Sequence, residues 1–139
     1  MNSRALGIKP YSTETEEAFL TSLNHALVTV LGGGKCTIKR EVAISQVFSE
    51  NLAHEKLFYS GRFDFVVYEK TSKNQELPLL AIELDGKEHF EDEIVKRRDR
   101  AKNEICRKHG FELIRVENSY ARRYNFIKNI LIDFFAKVR

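Results

Sequence analysis

Cysteine is scarce in this 139-residue chain: there are two, Cys36 and Cys106, far apart and outside any metal-ligand spacing. That excludes a disulfide-framework domain and predicts reduced thiols, hence a cytoplasmic protein. Long apolar runs are missing too. None approaches the roughly 20 residues that cross a bilayer, so no membrane partner is expected. The segment Met1–Pro10 lacks the apolar stretch of a secretory signal. Repeats, low-complexity tracts and dividing linkers are also lacking. The whole of 1–139 therefore reads as one domain around one core, with residues 1–12 as an N-terminal arm. The 42% hydrophobic and 31% charged fractions place it among ordinary globular chains.

A strong excess of one charge is the last thing lacking, since the net charge is only +3. The distribution is more telling. Residues 1–90 hold 10 Lys+Arg against 12 Asp+Glu, a net of −2, whereas residues 91–139 hold 13 against 8, a net of +5. An arginine-rich C-terminal third beside an acidic cluster suits a polyanion held against metal ions, although charge alone also describes a solvated face.

Periodicity orders the elements. A first helix starts at Ser12 or Thr13 as N-cap and carries Leu20, Leu23, Leu27 and Val30 at helical spacing up to Gly32. Cys36 to Val42 is strand-like, and the stretch to Glu50 is compatible with a short helix. Residues 51–60 read as an irregular crossing loop. Phe63 to Tyr68 is a second strand, Thr71 to Glu76 a hairpin turn, and Leu79 to Leu84 a third strand. The third is so continuously apolar that both its faces should be covered. Glu91 to His109 is a charged helix, acidic at its start and basic at its end, with Gly110 as its C-cap. Phe111 to Val116 is a fourth strand. A last helix from about Ser119 places Tyr124, Ile127, Leu131, Phe134 or Phe135, and Val138 on one stripe. A helix between strands three and four is the crossover of a parallel pair, and the earlier strands form hairpins. The expected fold is a mixed α/β (α+β) sheet with helices on both faces.

Three acids interrupt the apolar strands. Asp64 lies inside the second; Glu83 and Asp85 lie on the third, where a period of two sends them to one side. Hairpin pairing brings Asp64 opposite them. Carboxylates so close repel, and a divalent cation with hard oxygen ligands, Mg²⁺ or Mn²⁺, is the simplest compensation. Taken singly, each acid has a plainer reading: Glu83 paired with Arg98 or Lys102, and Asp85-Gly86 a turn dipeptide. Three acids together with Lys87 and His89 favour a site.

The segments Arg62-Phe63-Asp64-Phe65, Ile82 to His89, Arg98-Asp99, Gly110 and Leu113-Ile114-Arg115-Val116 together resemble the PD-(D/E)xK nuclease superfamily. The branch they are most similar to contains very short patch repair endonucleases and an uncharacterised group of small bacterial domains. The resemblance covers nearly the whole chain. It implies a restriction-endonuclease-like core, in the order helix, three strands, helix, strand, with a C-terminal helix added. It further implies that Asp64 and an acid of the third strand bind the metal while a lysine orients the attacking water. If Glu83 is the second acid, Asp85 occupies the lysine position; if Asp85 is, Asp85-Gly86-Lys87 restores the pattern. Both acids can also serve the metal, with Lys87 preferred on spacing and Lys102 as the alternative.

His89 fits a general base, metal ligand or phosphate donor. Glu16 heads the buried stripe of the first helix and is either a further metal ligand or half of a Thr13-x-x-Glu16 capping box. On the charged helix Ile94, Arg98, Ala101 and Ile105 share a face, which points Arg98 inward. Arg97, Arg98 and Lys102 are the candidate contacts to nucleic acid. Asp99 reads most simply as the partner of a helix neighbour. Tyr120, Tyr124 and Phe126 read as packing residues rather than a base-stacking platform.

The expected activity is metal-dependent endonuclease hydrolysis of DNA by an activated water. The rival is a catalytically inactive nuclease-fold module that binds nucleic acid or a protein. So small a domain has little room for its own specificity elements, so a homodimer or a larger parent protein is expected.

Overall fold

The computed structural model describes residues 13–86 and 92–138. Helix α1 (Thr13–Leu31) leads into strand β1 (Cys36–Ala43) and two short helices, α2 (Ile44–Val47) and α3 (Leu57–Ser60). Strands β2 (Arg62–Lys70) and β3 (Glu76–Asp85) follow, then helix α4 (Glu93–Lys108), strand β4 (Glu112–Glu117), a 3-10 turn (Asn118–Tyr120) and helix α5 (Tyr124–Val138). The crossing segment thus contains a helical turn at 57–60 where sequence suggested only loop. The expected N-terminal arm, residues 1–12, lies outside the described residues.

The sheet has the order β1-β2-β3-β4. β1 and β3 run antiparallel to β2, while β4 is parallel to β3. The mixed α+β sheet read from the sequence is therefore present. Its chemistry is simple: a short turn closes the β2–β3 hairpin, with the Thr71 backbone N–H donating to the Gln75 carbonyl at 2.8 Å, whereas a parallel partner needs the longer helical crossover that α4 supplies.

Helices cover both faces. On one, Phe19, Leu23 and Leu27 of α1 and Ile127, Leu131 and Phe134 of α5 pack on Phe65, Val67, Leu80, Ile82 and Leu84. On the other, Ile105 and Cys106 of α4 join Ile44, Phe48, Phe58, Phe63, Val66 and Ala81. Burying β3 on both sides explains its unbroken apolar run. Val138 departs from the expected stripe: it is exposed, so α5 stops packing at Phe135.

The caps of α4 place it accurately. The Asp92 side chain accepts from the backbone N–H groups of Ile94 (2.8 Å) and Val95 (3.3 Å). At the other end Gly110 sits at φ +61°, where a side chain would be strained. The N–H groups of Gly110 and Phe111 donate to the carbonyls of Arg107 (3.1 Å) and Cys106 (2.9 Å), closing the helix with a Schellman pair. Among the described residues no helix is long and apolar enough to cross a membrane.

Candidate functional site

The alternation of β3 decides what its acids meet. Ile82 and Leu84 enter the α1–α5 core, so Glu83 and Asp85 turn to the opposite face, under α4. Asp64 shares that face with Val66 and Tyr68 of β2. All three acids are buried: Asp64 and Glu83 are 2% exposed and Asp85 9%. The hairpin locks two of them reciprocally. The Asp64 backbone N–H donates to Glu83 Oε2 at 2.6 Å, and the Leu84 N–H donates to Asp64 Oδ2 at 2.8 Å. Each carboxylate is thereby fastened to the opposing strand.

Cations approach from the crossover unit. Lys102 Nζ of α4 forms an ion pair with Glu83 Oε1. Both oxygens of Glu83 are therefore engaged, one by backbone and one by ammonium. Arg115 of β4, the parallel register partner of Glu83, reaches Asp85 at 3.4 Å and Asp99 at 3.2 Å. It also donates to the Asp99 carbonyl (3.2 Å) and to Asn103 Oδ1 (3.0 Å). Among the described residues the corner thus gathers Asp64, Glu83, Asp85 and Asp99 around Lys102 and Arg115.

Several expected residues stand elsewhere. Arg98 does not point inward; it is exposed, as are Arg97 and Ile94. The inward face of α4 is Val95, Asp99 and Lys102, then Ile105 and Cys106, so over its first half the face lies about one position round the helix from the apolar spacing, and Ile105 alone of the expected four is fully buried. The reason is that the first half of the helix lies over charged groups, so Asp99 and Lys102 turn inward there. Asp99 accordingly pairs with Arg115 across elements. Glu16 is buried, but its carboxylate meets Arg40 of β1 at 3.3 Å rather than the three strand acids. Arg40 also pairs with Glu17. Burial opposes the Arg40 charge, yet the hydrogen bonds it donates to Glu17 and Glu16, with their negative charge, outweigh burial and raise its pKa. Lys87 and His89 lie outside the described residues. Tyr124 packs as expected, stacked on His25 with ring centroids 4.6 Å apart, and Tyr120 tilts against Phe126 at 4.8 Å.

Sequence reasoning placed Arg115 only within a motif and gave it no role. A guanidinium within the apolar run Leu113 to Val116 is the available signal; what it meets depends on the parallel register.

Among the described residues no group of three or more His, Cys, Asp or Glu side chains is arranged to hold a metal ion. The donor chemistry nonetheless suits a hard cation, because Asp64 and Asp85 bring carboxylate oxygens to the same buried corner.

Residues 8–133 match the family described as "Protein of unknown function (DUF2726)". The chain belongs to the DUF2726 family. No curated protein and no solved structure matches it.

The acid corner of this DUF2726 domain has a second consequence, at Cys106. Burial pushes this thiol from 9.0 up to about 12, with the negative Glu83 adding to the effect and Arg115 and Lys102 opposing it. Cys106 is a free thiol. Since the thiolate is the nucleophile, so large a rise leaves about a thousandfold less of it at pH 8. Iodoacetamide at pH 8 should therefore leave Cys106 intact until the domain unfolds. Modification of Cys106 in the folded domain, read by peptide mass, would overturn this. The raised thiol favours the folded state fully below about pH 9, and that contribution is lost as pH climbs toward 12.

Proposed function

We propose that this DUF2726 domain is a metal-dependent endonuclease acting on DNA, built on a restriction-endonuclease-like core. The observation that carries the reading is the buried trio Asp64, Glu83 and Asp85 on one face of the β2–β3 hairpin, with Lys102 seated on Glu83. Buried carboxylates cost stability, so a domain that retains three of them in one corner has a use for them. The element order also agrees with that of PD-(D/E)xK nucleases: a helix, three strands, a helix and a strand, then a C-terminal helix.

The residues divide the work. Asp64 and Asp85 would hold Mg²⁺ or Mn²⁺, which supplies Lewis acidity to the scissile phosphate and to the attacking water. Glu83 acts by holding Lys102, and the ammonium steadies the attacking water or the negative charge that develops on the phosphate. This favours Lys102 for the lysine role, from the helix rather than from the strand. Arg115 keeps Asp85 aimed while tying β4 to α4.

The second reading, an inactive module that binds nucleic acid, draws on the same contacts. Lys102 and Arg115 already compensate two of the acids, so the corner can be stable without a metal. Incubation with plasmid, linear and single-stranded DNA in Mg²⁺, Mn²⁺ or EDTA separates the two. The expected result is cutting that needs the metal and falls by at least about a hundredfold in Asp64→Ala and Glu83→Ala, the scale of removing a group that acts on the transition state. Cutting that survives both substitutions rules out this site. DNA binding with no cutting under any metal condition identifies the inactive module.

A further inference from the structure

The outward face of α4 forms one wall of a groove of about 470 Å³, whose other wall is residues 54–57. Three cations line it, Lys56, Arg97 and Arg98, against one acid, Glu55, so its charged lining is net positive. Its apolar lining comes from Leu57, Ile94 and Ala101, and Ile94 is 61% exposed. Among the described residues none of the three cations takes part in an ion pair, although the corner on the inner side of the same helix pairs Lys102 and Arg115. Such cations beside an exposed isoleucine point to an anionic ligand that also has an apolar part.

The wall opposite α4 is built rather than loose. The Asn51 side chain accepts from the Glu55 N–H (3.1 Å) and donates to the Glu55 carbonyl (2.8 Å), bridging a turn in which His54 takes φ +55°. Gly61 then fastens the segment to the core. A Cβ there would meet Ile44 Cδ1, Leu57 Cγ and the Leu57 carbonyl oxygen, each at 2.8 Å, so only glycine lets Leu57 sit where it does. The groove's shape is thus held by the backbone on both sides.

We propose that this groove binds an unpaired nucleotide of a nucleic-acid strand, with phosphates on Lys56, Arg97 and Arg98 and the base against Ile94 and Leu57. The proposal rests on the reading of DNA as substrate and names the feature recognised: a single-stranded or splayed stretch. Duplex DNA would satisfy the cations through its phosphates but keep its bases stacked and leave Ile94 and Leu57 bare. A splayed base offers the apolar face that those side chains fit. The volume lies within the range of about 300–1,000 Å³ of ligand sites.

The test is fluorescence anisotropy of the full chain with a labelled single-stranded oligonucleotide and a blunt duplex of the same sequence. EDTA is present throughout so that cutting plays no part, and salt is varied. The single strand should bind more tightly. Arg97→Gln combined with Arg98→Gln should weaken both ligands, and should reduce the salt slope for the single strand by about 1.4. Ile94→Ser should weaken the single strand alone by about tenfold at an unchanged slope. All three positions are exposed, so folding is not at stake. Equal affinity for duplex and single strand, or no response to Ile94→Ser, overturns the proposal. So does displacement by poly-glutamate at equal charge, which would mark an acidic-peptide site. A parallel plasmid assay in Mg²⁺ distinguishes the two readings. Groove-dependent binding without cutting leaves this site standing and removes the nuclease; cutting with groove variants that bind like the parent does the reverse.

Discussion

Replacing Lys102 by methionine should lower the unfolding free energy by about 3–5 kcal/mol, the usual result of removing one partner from a buried ion pair. The magnitude follows from how little water reaches the pair. The Lys102 side chain is 14% exposed and that of Glu83 3%, so the carboxylate left behind cannot be rehydrated. Methionine keeps the apolar stem and removes only the charge, so packing loss stays small. Glu83→Gln in the Lys102→Met background removes the stranded charge and should restore more than half of the loss. Urea unfolding of the two single variants and the double variant gives the coupling energy directly. A single-variant loss below about 1 kcal/mol, the range of exposed pairs, would mean that the pair is solvated and that the acid corner is open to water.

Phe65→Ala is the second large loss, again about 3–5 kcal/mol. Phe65 is fully buried in the middle of β2, with Arg40 as its register partner on β1 and Ile82 on β3. Its ring lies 5.2 Å from that of Phe19, joining the sheet to α1, and the Arg40 guanidinium sits 5.9 Å above it. Alanine would empty the junction of all three elements. Against a total stability of about 5–15 kcal/mol for a domain, about a fifth or more would go. Thermal unfolding should show a melting point lower by on the order of 10 °C or more. Phe65→Leu, which keeps much of the apolar volume, should cost clearly less. A similar shift for both would mean that the cavity is not what is being measured.

The sheet was readable because its signals are local. The apolar run from Leu79 to Leu84, the break at Asp85-Gly86 and the charged segment up to Gly110 specify a central strand and a crossover without knowledge of distant contacts. Asp64, Glu83 and Asp85 stood out for the same reason: acids inside apolar strands conflict with their surroundings. The orientation of α4 was not readable. The apolar spacing of Ile94, Ala101 and Ile105 assumes that the inside of the domain is oil-like, and half of this helix covers salt bridges instead. Ile105 obeys the rule because it has passed the acid corner and reached Phe63 and Ala81, whereas Ile94 lies outside. Arg115 and the Glu16–Arg40 pair were hidden for another reason. Each joins residues far apart in the chain, and only the register of β4 on β3, or the packing of α1 near β1, makes them neighbours.

The parallel pairing of β3 with β4 also bears on when the acid corner is completed during synthesis. Antiparallel β1, β2 and β3 can zip together as they emerge, at a ribosomal pace of about 5–20 residues per second. A nascent chain that has emerged only to residue 111 already carries Asp64, Glu83, Asp85 and Lys102. It lacks the strand against which α4 is pinned through the contacts of Arg115 with Asp99 and Asn103. Until that strand docks, the helix bearing Lys102 has no fixed seat over the acids. In this order the acids are in place before Lys102 is seated, and the corner is completed only when β4, the outer parallel strand, docks beside β3.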